Sequence, residues 1–144
     1  MTQRAARIAR ESDALTFEQA QSTLRNYEAL FMHGDLPGIL AGFAEDVVVR
    51  FADHPETRGK AALERFLRAR FARQKGYRVQ KTLKAVAGSM IINTFVGEWT
   101  DAITGRAMQW RGAEFITLSD DLCVEWEVMA NMWESGSTPQ PTFI

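Results

Sequence analysis

Residues 77–133 read YRVQKTLKAVAGSMIINTFVGEWTDAITGRAMQWRGAEFITLSDDLCVEWEVMANMW. Three turn signals interrupt the run, Gly88-Ser89, Thr104-Gly105 and Ser119-Asp120-Asp121; residues of these types adopt turn dihedrals that bulky side chains avoid. Between them lie Tyr77 to Val86, Met90 to Thr100, Met108 to Leu118 and Leu122 to Trp133, each rich in β-branched and aromatic residues and long enough for a strand. Strands joined by turns this short pair antiparallel with their chain neighbours, because a parallel return needs a crossover of about a dozen residues or more. The stretch predicts a meander.

Upstream the periodicity is helical. Thr16 and Gln19 form a capping-box pattern, and Phe17, Ala20, Leu24, Tyr27, Leu30 and Phe31 recur at helical spacing up to His33, where Gly34 supplies a left-handed cap. Asp35 caps a second, shorter helix with Pro37 in its first turn and Leu36, Ile39, Leu40 and Phe43 as its buried side. Val47 to Phe51 reads as a strand, Ala52 to Gly59 as a loop, and Lys60 to about Gln74 as a third helix closed by Gly76, with Leu63, Phe66, Leu67 and Phe71 inward. Helices first and strands last make an α+β layout, with helices on one face of an antiparallel sheet. Residues 1–14 read as a polar leader, 15–134 as one domain and 135–144 as a flexible tail. Arg4, Arg7 and Arg10 run into Glu11, Ser12 and Asp13 rather than an apolar core, which argues against a secretory signal.

Composition narrows the function classes. Of 144 residues 46% are hydrophobic, and 17 basic residues stand against 18 acidic ones, a net charge of −1. That is neither a disordered chain nor one with the apolar run of about 20 residues that spans a bilayer. Cys123 is the only cysteine, which excludes an internal disulfide and suits a reducing, cytoplasmic setting. Charge is nonetheless uneven: ten basic residues and one acid lie between Arg58 and Lys84, and eight acids face two arginines from Ala85 onward. At this net charge the basic stretch reads as a solvated or internally paired face rather than a nucleic-acid surface.

Two helices joined by His33-Gly34-Asp35-Leu36, then Ile39-Leu40-Ala41-Gly42-Phe43-Ala44-Glu45-Asp46-Val47 entering a strand, Gly59-Lys60 opening a third helix, and a long meander resemble the nuclear-transport-factor-like superfamily, the cystatin-like cone. Glu98-Trp99 and the segment Trp110 to Phe115 are most similar to small bacterial SnoaL-like proteins. The resemblance implies a curved sheet wrapped around the long first helix, a cone-shaped pocket between them, and a homodimer through the outer sheet face. It implies no single activity, since the superfamily includes isomerases, dehydratases, epoxide hydrolases, cyclases and non-enzymatic proteins. Against its steroid-isomerase branch, Tyr27 stands at the helix tyrosine and Glu114 at the late acid, but Phe51 occupies the position of the base. Against its epoxide-hydrolase branch, Val128 stands where a carboxylate belongs.

Strand parity then assigns side chains to the cone. Trp126, Val128 and Ala130 share one face, as do Asn93, Phe95 and Trp99, and as do Trp110, Gly112, Glu114, Ile116 and Leu118. Glu114 becomes the single acid among aromatic walls, and loss of hydration predicts a raised pKa and proton exchange near neutral pH. Glu114, Tyr27 and His54 are the candidate catalytic residues; Phe31, Phe51, Phe66, Phe95, Trp99, Trp110, Trp126 and Val128 are the candidate ligand contacts. Each has a structural reading beside the chemical one: Glu114 paired with Arg111 or Arg50, or set at a dimer face if a bulge inverts the parity, Tyr27 as a core tyrosine, His54 as a loop residue, the tryptophans as core. With two histidines and one cysteine in the chain, no metal site is expected, and no cofactor is, for want of a Gly-rich phosphate loop. Three functions compete: a cofactor-free acid/base enzyme acting on a small apolar oxygen-bearing molecule, a non-catalytic binder of a hydrophobic metabolite, and a dimeric interaction module.

Overall fold

The computed structural model describes residues 14–138, 141, 143 and 144; the leader read over residues 1–14 lies, apart from Ala14, outside the described residues. Helix α1 (Phe17–His33) opens on the expected box: Gln19 N donates to Thr16 Oγ1 at 3.1 Å and Thr16 N to Gln19 Oε1 at 2.9 Å. It closes on Gly34 at φ 64°, a conformation that costs glycine nothing. Asp35 Oδ1 accepts from Gly38 N at 3.0 Å and starts α2 (Leu36–Ala41). Ala20, Leu24, Tyr27 and Phe31 are the buried stripe of α1, but Phe17 is 64% exposed. Leu15, tied by its N–H to Gly88 O at 2.9 Å, packs on the core at that end instead.

Strand β1 (Phe43–Phe51) begins four residues before the expected Val47, and a two-residue strand, β2 (Thr57–Arg58), pairs back on it within the expected loop. Helix α3 (Lys60–Arg73) buries Leu63 and Leu67 completely. The meander follows as β3 (Gln74–Ala87), β4 (Met90–Asp101), β5 (Ala107–Ser119) and β6 (Leu122–Glu134). The sheet order is β2-β1-β6-β5-β4-β3. All pairs are antiparallel except β1 with β6, which run parallel from Val48/Glu125 to Phe51/Val128. The chain enters the sheet beside its own last strand, and α3 carries it to the far edge, where the meander starts.

Gly76 does not close α3. The helix stops at Arg73 because the sheet claims the next residue: Gln74 pairs with Asp101, Ala102 N donates to Arg73 O at 2.8 Å, and Arg73 Nε donates to Asp101 Oδ2 at 2.9 Å. Gly76, at φ 65°, serves a bulge between Lys75 and Arg78 instead. The free edge of β3 is covered by α1, whose Glu28 Oε2 accepts the Lys81 backbone N–H at 3.0 Å. A sheet edge closed this way offers that donor to no other chain.

Candidate functional site

The alternation of each long strand turns its apolar set toward α1, and the expected parity holds: Asn93, Phe95 and Trp99, Trp110, Glu114 and Ile116, and Trp126 and Val128 are all buried. The expected hollow chamber is largely filled, however. Phe51 lies 5.3 Å from Trp126 and 5.6 Å from Trp110, Phe95 lies 5.6 Å from Trp110, and Phe31 lies 5.7 Å from Trp126, centroid to centroid. Two cavities remain, and each gives the centre of a water-sized sphere about 10 Å³, room for a single water. The first is lined by Phe51, Arg70, Tyr77, Phe95 and Trp110 among others, the second by Tyr27, Phe43, Ile116 and Cys123; Phe31, Lys81, Glu114 and Trp126 line both.

Two glycines let the rings lie this flat. Gly97 faces Trp110 across β4 and β5, and Gly112 faces Phe95. A Cβ on Gly97 would collide with the Trp110 indole, and one on Gly112 would collide with the Met129 carbonyl oxygen and stand 2.7 Å from Phe95 Cζ. Aromatic rings resting on cross-strand glycines are a recurrent sheet device.

Between the cavities sits a buried ion pair. Lys81 Nζ donates to Glu114 Oε1, and Trp126 Nε1 donates to Glu114 Oε2 at 2.9 Å. Both side chains are almost wholly out of water, and Glu28 fixes the Lys81 backbone from behind. The pKa expected for Glu114 is therefore corrected. Burial alone pushes it up, but the Lys81 charge and hydrogen bond, with the Trp126 bond, outweigh that and hold the carboxyl below its ordinary value. Its partner is neither Arg111 nor Arg50; Arg50 lies among Glu56, Glu125 and Glu127 near the surface. Asn93 stands cross-strand from Glu114 and adds to the lowering.

At the other end of the first cavity the Arg70 guanidinium lies over four rings, 4.9 Å from Tyr77 and from Trp110, 5.1 Å from Phe31 and 5.4 Å from Phe51. Its Nε donates to Gln74 Oε1 at 2.8 Å. Burial pulls its pKa below the ordinary arginine value and pushes that of the Tyr77 hydroxyl up. Two members of the basic stretch, Lys81 and Arg70, thus face the cone rather than solvent.

The three candidate catalytic residues separate. Glu114 is central. Tyr27 lines the second cavity with its hydroxyl pushed far above the usual tyrosine value by burial, so it remains a neutral donor, but no hydrogen bond joins it to Glu114. His54 does not reach the cone: it is exposed, its Nδ1 lies 2.8 Å from Pro55 O, and its ring, tilted by 52°, lies 4.7 Å from that of Phe66. Phe66 in turn backs Phe51 at 5.5 Å, and Trp99 backs Trp110 at 5.0 Å, so these two support the wall without lining a cavity. Phe31, Phe51, Phe95, Trp110, Trp126 and Val128 do line it. Lys81 and Arg70 were both findable from spacing. Lys81 shares strand parity with Tyr77 and Val79, and Arg70 falls three residues after Leu67 and four after Phe66 on the apolar side of α3. Among the described residues no three His, Cys, Asp or Glu side chains group as a metal site requires, and no helix is long and apolar enough to cross a membrane.

The profile of the SnoaL-like domain matches residues 24–126. No curated protein matches significantly. Solved structures share the fold: an LEH-like epoxide hydrolase of M. tuberculosis is 15% identical with TM-score 0.66, covering 78% of this chain and 82% of its own. An NTF2-like protein of unknown function from Burkholderia pseudomallei K96243 is 20% identical with TM-score 0.69, covering 78% and 90%. SalBIII, an epoxide hydrolase/cyclase-like enzyme with a role in pyran ring formation in the polyether salinomycin, is 14% identical with TM-score 0.70, covering 81% and 97%.

Proposed function

The chain belongs to the SnoaL-like domain family, and on that premise we propose that its cone admits one small, largely apolar, oxygen-bearing molecule and performs cofactor-free acid/base chemistry on it. The observation that carries this reading is the Lys81–Glu114 pair, enclosed by aromatic rings at the point where the two cavities meet. A buried ion pair is a poor source of stability, since apolar side chains of similar volume serve packing as well or better. Its place is better explained by chemistry. Glu114, held ionised, is the base: its carboxylate takes a proton from carbon next to a carbonyl, and the electron pair moves to the carbonyl oxygen. Protonation of Glu114 releases the Lys81 ammonium from its partner at the moment the oxyanion appears, so the cation transfers its hydrogen bond to the new charge. Return of the proton to another carbon completes an isomerisation; attack by the enolate on a second carbonyl of the same molecule, whose alkoxide takes the proton back from Glu114, completes a cyclisation. Tyr27 offers a neutral donor from the second cavity.

Both cavities are one-water spaces, so entry displaces side chains, and Arg70 over the mouth is the long one that can swing aside. The neighbours that are epoxide hydrolase-like or cyclase-like support an enzyme of this kind on this fold. The competing reading, a binding protein without turnover, is favoured by one feature: both Glu114 oxygens are already bonded. Native mass spectrometry of the purified protein identifies the resident ligand, and turnover of that molecule by wild type and Glu114→Gln then decides. Loss of general-base action costs about 10²–10⁴-fold in rate, with affinity kept within a few-fold. Binding without turnover in wild type would establish the binding protein. Two copies pair through the outer sheet face, where Val96 and Met129 are exposed, and the one cysteine, Cys123, buried with its thiol raised by desolvation, suits a cytoplasmic setting.

A further inference from the structure

Among the described residues Arg70 is the one charge in the cone without a counter-charge. On the same helix Arg68 holds Glu64 at 2.7 Å and Arg73 holds Asp101 at 2.9 Å, and in the cone Lys81 is matched by Glu114. Arg70, although partly buried and set among four rings, makes no salt bridge among the described residues; Glu114 acts on it only at long range. With Nε committed to Gln74 and the Tyr77 hydroxyl as a neutral neighbour of the fork, the two terminal amino groups face no carboxylate and are the part of the fork left for an anion. The cone therefore carries an excess of one positive charge at its mouth, screened from water by aromatic walls, where an ion pair is worth more than at the surface.

We infer that Arg70 selects an anionic ligand: an aromatic or alicyclic carboxylic acid whose carboxylate pairs with the guanidinium at the mouth while its apolar body takes the guanidinium's present place between Phe31, Phe51, Tyr77 and Trp110. This rests on the cone being a ligand pocket, and narrows it to a substrate class. Guanidinium and carboxylate match as planar forks, so the contact also sets orientation, sending the far end of the molecule toward Lys81 and Glu114. A cationic ligand is disfavoured for two reasons. It would compete for the rings with a guanidinium tethered beside them, and it would add charge to a site already positive.

Calorimetric titration with three probes of one ring system tests this: 2-naphthoate, neutral 2-naphthamide and cationic 2-naphthylmethylammonium. Wild type is expected to bind the carboxylate about tenfold or more tightly than the amide, and Arg70→Met to bring the two within about twofold of each other. Arg70→Lys retains part of the preference. A measurement on wild type alone guards against a variant that fails to fold: 2-naphthoate should protect Arg70 from phenylglyoxal, read by peptide mass mapping, and 2-naphthamide should not. Equal affinity for acid and amide, a preference surviving in Arg70→Met, or tighter binding of the cation each overturns the role of Arg70 while leaving the pocket intact. Failure of wild type to bind any of the three overturns the pocket itself, and this inference with it.

Discussion

At position 81 a methionine in place of lysine keeps most of the side-chain volume and removes the ammonium. Glu114 is then a buried carboxylate with only Trp126 bonded to it, and Lys81→Met should lower unfolding free energy by about 3–5 kcal/mol in urea titrations. The double variant Lys81→Met, Glu114→Leu should recover most of that loss, since a well-packed apolar pair is no less stable than a buried ionic one. A double variant as unstable as the single one would show that the site depends on the charges themselves. The lowered pKa of Glu114 fixes the sign of a pH effect. A carboxyl held lower in the folded state than its ordinary 4.5 contributes stability above that value and loses it as pH falls through the folded value. The stability difference between wild type and Glu114→Gln should accordingly be largest near neutral pH and shrink below about pH 4; a difference that grows on acidification would contradict the pairing. Parity in residues 108–118 was enough to put Glu114 inside. Its protonation was not legible there, because the residue that decides it, Lys81, lies 33 positions earlier and reads locally as one more member of a basic stretch.

The elements show where local signals prevail and where tertiary pairing overrides them. Thr16, Gln19, Gly34 and Asp35 set their helix ends as read, because each satisfies its own backbone groups with residues three or four positions away. Gly76 failed as a stop signal because the Gln74–Asp101 pairing intervenes first, a contact between segments on opposite sides of a hairpin. β1 reaches back to Phe43 for the same reason: its first residue pairs with Cys123 of the last strand. Gly97 and Gly112 carry no turn, and their purpose emerges only when Trp110 and Phe95 lie across them. Gly97→Ala should destabilise the fold by about 1–3 kcal/mol through overpacking, measured by chemical denaturation together with the near-ultraviolet signal of the tryptophans. An unchanged midpoint would show that Trp110 does not rest on β4. On the β3 edge, Glu28→Ala frees the Lys81 backbone N–H, and its amide exchange rate should rise relative to neighbours in the β3–β4 ladder. Equal rates would mean that the carboxylate does not hold that edge.

For the whole molecule, a six-stranded sheet curls around one helix and encloses an interior that is mostly ring against ring, with a single ion pair at its centre and an arginine at its entrance. The outer face of that sheet leaves Val96 54% and Met129 53% exposed on a shallow surface shared with Thr94 and Ala113. Sedimentation at micromolar concentration should show a species of twice the 16.2 kDa chain mass, and Val96→Glu with Met129→Glu should return it to the monomer; a wild type that sediments only at 16.2 kDa would refute pairing through this face. The filled cone is the feature that the sequence could least convey, since parity tells which rings point inward but not how much space they leave. It also makes the central claim exposed to one direct observation: a crystal structure of the protein purified without stripping bound small molecules. The account predicts density for an organic molecule spanning from Arg70 to the Lys81–Glu114 pair, with the Phe31, Phe51 and Trp110 rings parted around it. A cone closed on its own side chains, with a single water in each cavity and no conformational change when acids are soaked in, would contradict it.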